Sequence, residues 1–111
     1  MLLCAILLCQ NGLHMEIVYL KKLQDFAKLH ADAKESILTF KLVVENAKWR
    51  TSLEVLRDFP KAKILNATRA RFKIRGNKYR VVVVIDYRVG RVTIRFIGTH
   101  KEYDKINILF I

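Results

Sequence analysis

Apolar positions along the chain follow different periods in different stretches. Met1 to Cys9 reads MLLCAILLC, an unbroken apolar run closed by Gln10-Asn11-Gly12. Through residues 16–60 the apolar positions recur at helical steps. Leu20, Leu23, Phe26 and Ala27, then Leu29 or His30, are separated by Lys21, Lys22, Gln24, Asp25 and Lys28, which predicts a first helix. Asp32 stands where an N-cap is needed for a second helix over about residues 33–48. Its buried stripe would be Ile37, Phe40, Val44 and Ala47, widened by Leu38 and Leu42. Thr51 or Ser52 can cap a short third helix through Leu53, Val55 and Leu56, and Pro60, the only proline, marks its end.

From Lys61 onward the period changes to two. Arg71-Phe72-Lys73-Ile74-Arg75 alternates strictly, and Gly76-Asn77 supplies a tight turn. Residues 79–87 are mostly Val, Ile and Tyr, the composition of a central strand. Val89-Gly90 makes the next turn and residues 91–97 alternate again, while residues 62–66 read as a weaker first strand. Helices followed by strands predict an α+β domain: two or three N-terminal helices packed on one face of a three- to four-stranded antiparallel sheet.

The apolar N-terminal run is shorter than the roughly 20 residues a transmembrane helix needs. It also lacks the positive flank and small-residue cleavage site of a secretory signal. With Met15 as a second plausible start, residues 1–14 read as an apolar extension, and residues 15–111 as the functional domain. The alternative is an extra element packed on the core. Cys4 and Cys9 both lie in the extension, so the domain itself has neither a disulfide framework nor a cysteine zinc site. That agrees with a cytoplasmic protein and no association with membranes.

Charge sharpens this picture. An apolar fraction of 52% excludes a disordered basic tail, and the formal charge of +11 calls for a polyanionic partner. Residues 61–101 carry twelve Lys/Arg against the single acid Asp86, whereas residues 1–60 are almost balanced. The excess therefore belongs to the strands. Side chains alternate across a sheet, so Arg71, Lys73 and Arg75 share one face opposite Phe72 and Ile74. By the same parity Arg91, Thr93 and Arg95 oppose Val92, Ile94 and Phe96. One such strand would be read as a solvated face that discourages edge aggregation. Two, with almost no acids between them, point to a surface that binds phosphates.

The run F-K-I-R-G-N-K-Y-R at 72–80, I-D-Y at 85–87 and I-R-F-I-G-T-H-K-E-Y-D-K-I at 94–106 resembles the HigB family of bacterial toxins, within the RelE/ParE superfamily of type II toxin–antitoxin systems. The likeness extends over about residues 15–106, with Phe26, the turn at 30–33, Trp49 and Phe59-Pro60 in comparable places. It implies a RelE/ParE-like fold and a ribonuclease that cleaves messenger RNA, usually on the translating ribosome, without metal or small-molecule cofactor. It also implies a cognate helix-turn-helix antitoxin, HigA-like, as partner. The matching basic positions are Arg71, Lys73 and Arg80; His100 stands after Gly98, where some relatives carry arginine, and Tyr103 is the nearest aromatic.

The chemistry agrees with that set. In metal-free cleavage a 2′-hydroxyl attacks the neighbouring phosphate, which requires proton transfer and cations for the developing charge. The candidate catalytic residues are Lys73, Arg80, His100 and Tyr103, with Lys73 or His100 moving the proton and Arg80 clamping the phosphate. Tyr103 can stack on a base. Arg71, Arg75, Arg91 and Arg95 are candidate RNA-binding residues. Glu102 and Asp104 are expected either to cap a short helix starting near His100 or to orient Arg80 or His100. Two rival readings are a gyrase-inhibiting toxin like the ParE branch and a non-catalytic module that binds RNA or antitoxin.

Overall fold

The computed structural model describes residues 15–106. The apolar extension over residues 1–14, with both cysteines, lies outside the described residues, as do residues 107–111. The elements run β1 (Glu16–Val18), α1 (Leu20–Leu29), a 3-10 turn (Ala31–Ala33), α2 (Lys34–Glu45), α3 (Ser52–Asp58), β2 (Lys63–Ile64), β3 (Arg69–Ile74), β4 (Tyr79–Asp86), β5 (Arg91–Thr99) and α4 (His100–Asp104). The sheet has five strands in the order β1-β5-β4-β3-β2. The α+β class is as expected, but the sheet is mixed rather than antiparallel, because β1 pairs parallel to β5 through Glu16↔Arg91, Ile17↔Val92 and Val18↔Thr93. A three-residue strand is too short to display alternation, so its residues merge into the helical pattern that follows. Tyr19, in the left-handed conformation at φ 65°, turns the chain from β1 into α1.

The helical layer buries a stripe narrower than its leucines suggest. Leu23 and Phe26 of α1, and Ile37, Phe40 and Val44 of α2, are buried with Ala47 beyond them. Leu29, Leu38, Leu42 and Leu53 are exposed instead. Asn46 stops α2 early, its side-chain Nδ2 donating to the Leu42 carbonyl at 2.8 Å. Thr51 and Glu54 form a capping box that starts α3. Between these helices and the sheet lies an aromatic core in which Trp49 stacks on Phe72 at 6.2 Å and Phe59 meets Phe72 edge-on at 4.9 Å. Each such pair contributes roughly 0.5–1.5 kcal/mol beyond the area it buries. Trp49 Nε1, carried into the core with its ring, donates to Asp58 at 2.9 Å.

In the sheet Ala70, Phe72 and Ile74 of β3, with Tyr79, Val81, Val83 and Ile85 of β4, face the helices and are buried. In β5 the alternation is broken by a bulge. Val83 pairs with Ile94 and Val82 with Phe96, which leaves Arg95 as an extra residue. Beyond it parity reverses: Ile97, opposite Val81, packs toward the core, and Phe96 joins Val82 on the face away from the helices. Phe96 is thus not the helix-facing residue that strict alternation predicts. Val82 is fully buried although it stands outside the main core cluster, so the basic face has an apolar floor.

Candidate nucleic-acid interface

The β3–β4 turn organises this face. Arg75 and Gly76 both take positive φ, 54° and 65°, and Lys78 N–H donates back to the Arg75 carbonyl at 3.2 Å. Asp32 anchors the turn from the helical side. Its carboxylate receives Lys78 Nζ at 2.7 Å and the Tyr79 hydroxyl at 2.8 Å, with Arg75 Nε at 3.6 Å. The hydrogen bond from Lys78, then that from Tyr79, holds the Asp32 carboxyl below the ordinary aspartate range. The same contact raises Lys78, while Tyr79 is pushed up chiefly by burial. Asp32 therefore does not cap α2: Ala33 occupies the N-cap without a side-chain bond, and the aspartate is spent across the fold. His30, at the end of α1, stacks on Phe26 at 4.2 Å beside Tyr79.

Arg80 follows directly on the anchored turn and is only 9% exposed. Its Nη2 donates to Asn77 Oδ1 at 2.9 Å, and its guanidinium carbon lies 5.0 Å from the Tyr103 ring centre. Its buried Nε has no partner. Across the sheet Arg80 pairs with Lys73 on one side and Gly98 on the other. Gly98 is required by close approach: a Cβ there would lie 2.6 Å from Phe96 Cζ and 2.7 Å from Glu102 Oε1. The bare backbone lets α4 fold down over the end of β4 and β5, which brings Tyr103 onto Arg80. Phe96 supports Tyr103 from below at 6.4 Å between ring centres.

Arg71 stands opposite Val82, a diagonal neighbour of Arg80, which in antiparallel sheets means roughly 7–8 Å. Its Nη2 reaches the Lys61 carbonyl at 3.4 Å, and its Nε is buried without a partner. His100 opens α4, its backbone N–H bonded to the Lys78 carbonyl at 3.3 Å and its Nδ1 3.2 Å from Asp104. Glu102 closes a capping box with Thr99, accepting from Thr99 N–H at 2.8 Å and donating its own N–H to the Thr99 hydroxyl. Of the two functions open to the acids, Glu102 caps and Asp104 holds His100.

The structure thus gathers Arg71, Lys73, Arg80, His100 and Tyr103 around the turn end of the sheet. It does not gather the rest. Arg75 is turned to Asp32, and Arg91, on β5 opposite Asp86, lies six β4 residues from Arg80, about 20 Å away at strand spacing, and pairs with Glu16 at 3.3 Å. Arg95 sits exposed in the bulge without a β4 partner. Asn77, Phe96 and Gly98 are additions that parity could not supply. The Asn77-x-x-Arg80 spacing across a tight turn was the signal for the first.

Among the described residues no group of three or more His, Cys, Asp or Glu is arranged to hold a metal ion. None of their helices is long and apolar enough to cross a membrane. Helices packed on one face of a small mixed sheet, with a cationic site at the turn end of the other, define a basic α+β domain of the RelE-like type. Residues 33–106 match the model of the HigB toxin family, described as the RelE-like toxic component of a toxin-antitoxin system, and the chain belongs to that family. A comparison with curated proteins gave no match.

Proposed function

We propose that this toxin is a metal-independent endoribonuclease that cleaves messenger RNA in the cytoplasm, on the translating ribosome. The carrying observation is Arg80, largely buried and fixed in place by Asn77 and Tyr103 at the turn end of the basic sheet face. A guanidinium aimed in advance stabilises charge developing on a phosphate without reorganisation at the moment of reaction. Lys73 across the strand and Arg71 diagonal to it add cations to the same patch.

In the proposed step the 2′-oxygen attacks the adjacent phosphorus as its proton leaves. The P–O5′ bond breaks and O5′ takes up a proton, giving a 2′,3′-cyclic phosphate and a 5′-hydroxyl. Asp104 holds His100 through Nδ1, which leaves Nε2 to exchange the proton. Lys73 is the other candidate for that transfer, and Arg80 and Arg71 bear the phosphorane charge. Tyr103 fixes Arg80 and offers a ring on which a neighbouring base can stack. The toxin-antitoxin family implies an antitoxin partner. A HigA-like helix-turn-helix protein with acidic residues facing this patch suits it.

The test is to induce the protein and map RNA 5′ ends, then repeat with purified protein, ribosomes and EDTA. Codon-phased cuts bearing 2′,3′-cyclic phosphates, lost in Arg80→Ala, are the expected result. Gyrase-linked DNA breaks without new RNA ends would overturn the reading.

A further inference from the structure

Beside the cationic patch, at the β3 edge, is an open cleft of about 590 Å³. Its position follows from the shortness of β2. That strand's ladder with β3 ends at Lys63↔Arg71, so the edge from Phe72 to the turn has no strand beside it. Leu65 N–H donates to the Arg69 carbonyl, which means that odd-numbered residues of β3 direct their peptide groups toward β2. At Lys73 that direction opens into the cleft. The apolar floor is the half-buried Phe59 with Pro60 and Ala62, and Trp49, Phe40 and the fully buried Phe72 hold the Phe59 ring from the core side at 5.9, 5.5 and 4.9 Å. Lys61, Lys73, Gly76 and Asn77 complete the rim. Asp58, the acid in the lining, is already held by Trp49 Nε1.

We infer that this cleft is a nucleobase subsite, which takes a base of the single-stranded RNA whose phosphate sits at Arg80. The inference rests on the reading of RNA as substrate. Its volume lies within the roughly 300–1,000 Å³ of small-ligand sites. An aromatic floor with amide donors and acceptors on the rim is the chemistry that receives an unstacked base: ring contact supplies affinity and polar edges supply selection. Asn77 links the two places, since its Oδ1 accepts from Arg80 while its residue lines the cleft. Lys61 and Lys73 give the entrance the charge that a backbone passing from phosphate site to cleft requires.

The experiment compares binding of a fluorescent 2′-O-methyl RNA hexamer, which resists cleavage, with that of an abasic hexamer of equal charge. Wild-type protein should favour the base-bearing oligonucleotide, and Phe59→Leu, which keeps an apolar core contact but removes the ring, should reduce that preference about tenfold. As a measurement independent of the variant's folding, AMP or CMP added to wild-type protein should shift the backbone amide resonances of Lys61, Lys73, Gly76 and Asn77. Equal binding of both hexamers, unaffected by Phe59→Leu, would overturn the subsite and leave RNA as substrate intact. Binding of neither hexamer at low salt would overturn both. If Phe59→Leu weakened only the complex with the antitoxin, the cleft would be a protein-docking edge, and the inference would be wrong.

Discussion

Arg80 and Tyr103, 23 positions apart, form one unit: the guanidinium carbon lies 5.0 Å from the ring centre. Asn77 holds the same guanidinium from the other side at 2.9 Å. A planar, delocalised cation meets both demands while keeping further donors in a fixed fork for a phosphate, which a compact ammonium does not reproduce. Arg80→Lys should therefore be nearly as damaging as Arg80→Ala, each lowering single-turnover RNA cleavage by roughly 10²–10³-fold. Both variants should stay folded by circular dichroism. Cleavage by Arg80→Lys within a few-fold of wild type would remove the guanidinium geometry from the mechanism.

Gly98 is a position at which even a methyl group should cost stability. A methyl group there meets Phe96 Cζ at 2.6 Å and Glu102 Oε1 at 2.7 Å, so the ring must shift and the Glu102 carboxylate must leave its bond to Thr99 N–H. Overpacking of this kind costs about 1–3 kcal/mol. At about 4–8 °C per kcal/mol in small domains, Gly98→Ala should melt at least several degrees below wild type. Adding Phe96→Ala removes the nearer clash, so the double variant should lose less than the sum of the two single losses in a double-mutant cycle. Strict additivity would show that the ring is not what Gly98 accommodates.

These two residues also show where sequence reading reaches and where it stops. The central stripe of α2 (Ile37, Phe40 and Val44), the capping Thr51 and the basic, alternating β3 are local patterns and are present as read, whereas Leu38 and Leu42, expected to widen that stripe, are exposed. The bulge at Arg95 is not a local pattern. Arg-Val-Thr-Ile-Arg-Phe alternates without a break, and only the pairing of β5 with β4 shows that one residue is extra. That extra residue moves Phe96 to the face where Tyr103 and Arg80 meet. Asp32 escaped for a similar reason: its helix-start position suggested a cap, but its partners Lys78 and Tyr79 lie 46 and 47 positions away. Arg71, Lys73, Arg80, His100 and Tyr103 were legible as residues; their assembly by Gly98 and Asn77 required the fold.

The Asp32 anchor should make stability depend on acid pH. Its carboxyl is held below the ordinary value by bonds from Lys78 and Tyr79 that exist only in the folded chain. A carboxyl depressed on folding stabilises the native state above its unfolded pKa, near 3.9 for aspartate, and that stabilisation is lost as pH falls through the folded value. Urea midpoints measured from pH 6 downward should fall below about pH 4 in wild type and fall less steeply in Asp32→Asn. Asp32→Asn should also be the less stable protein at neutral pH. Parallel curves for the two proteins would show that the Asp32 contacts do not couple folding to protonation.

His100 and Asp104 permit binding to be separated from chemistry. The histidine lies at the start of α4, with its Nδ1 3.2 Å from the carboxylate, beside the β3–β4 turn that positions Arg80. If its ring exchanges the proton, His100→Ala removes a step and not an attractive contact. Cleavage should then fall by about 10²–10⁴-fold, the range for a positioned acid or base. Binding of the 2′-O-methyl hexamer should stay within about twofold, because the phosphate cations remain. Asp104→Asn keeps the ring but weakens its hold, so a smaller loss in rate is expected, again without a change in binding. The capping box between Thr99 and Glu102 starts α4 in both variants, so the Tyr103 contact with Arg80 is retained. Full activity in His100→Ala would transfer the proton to Lys73, and Lys73→Ala should then carry the rate loss predicted here for His100.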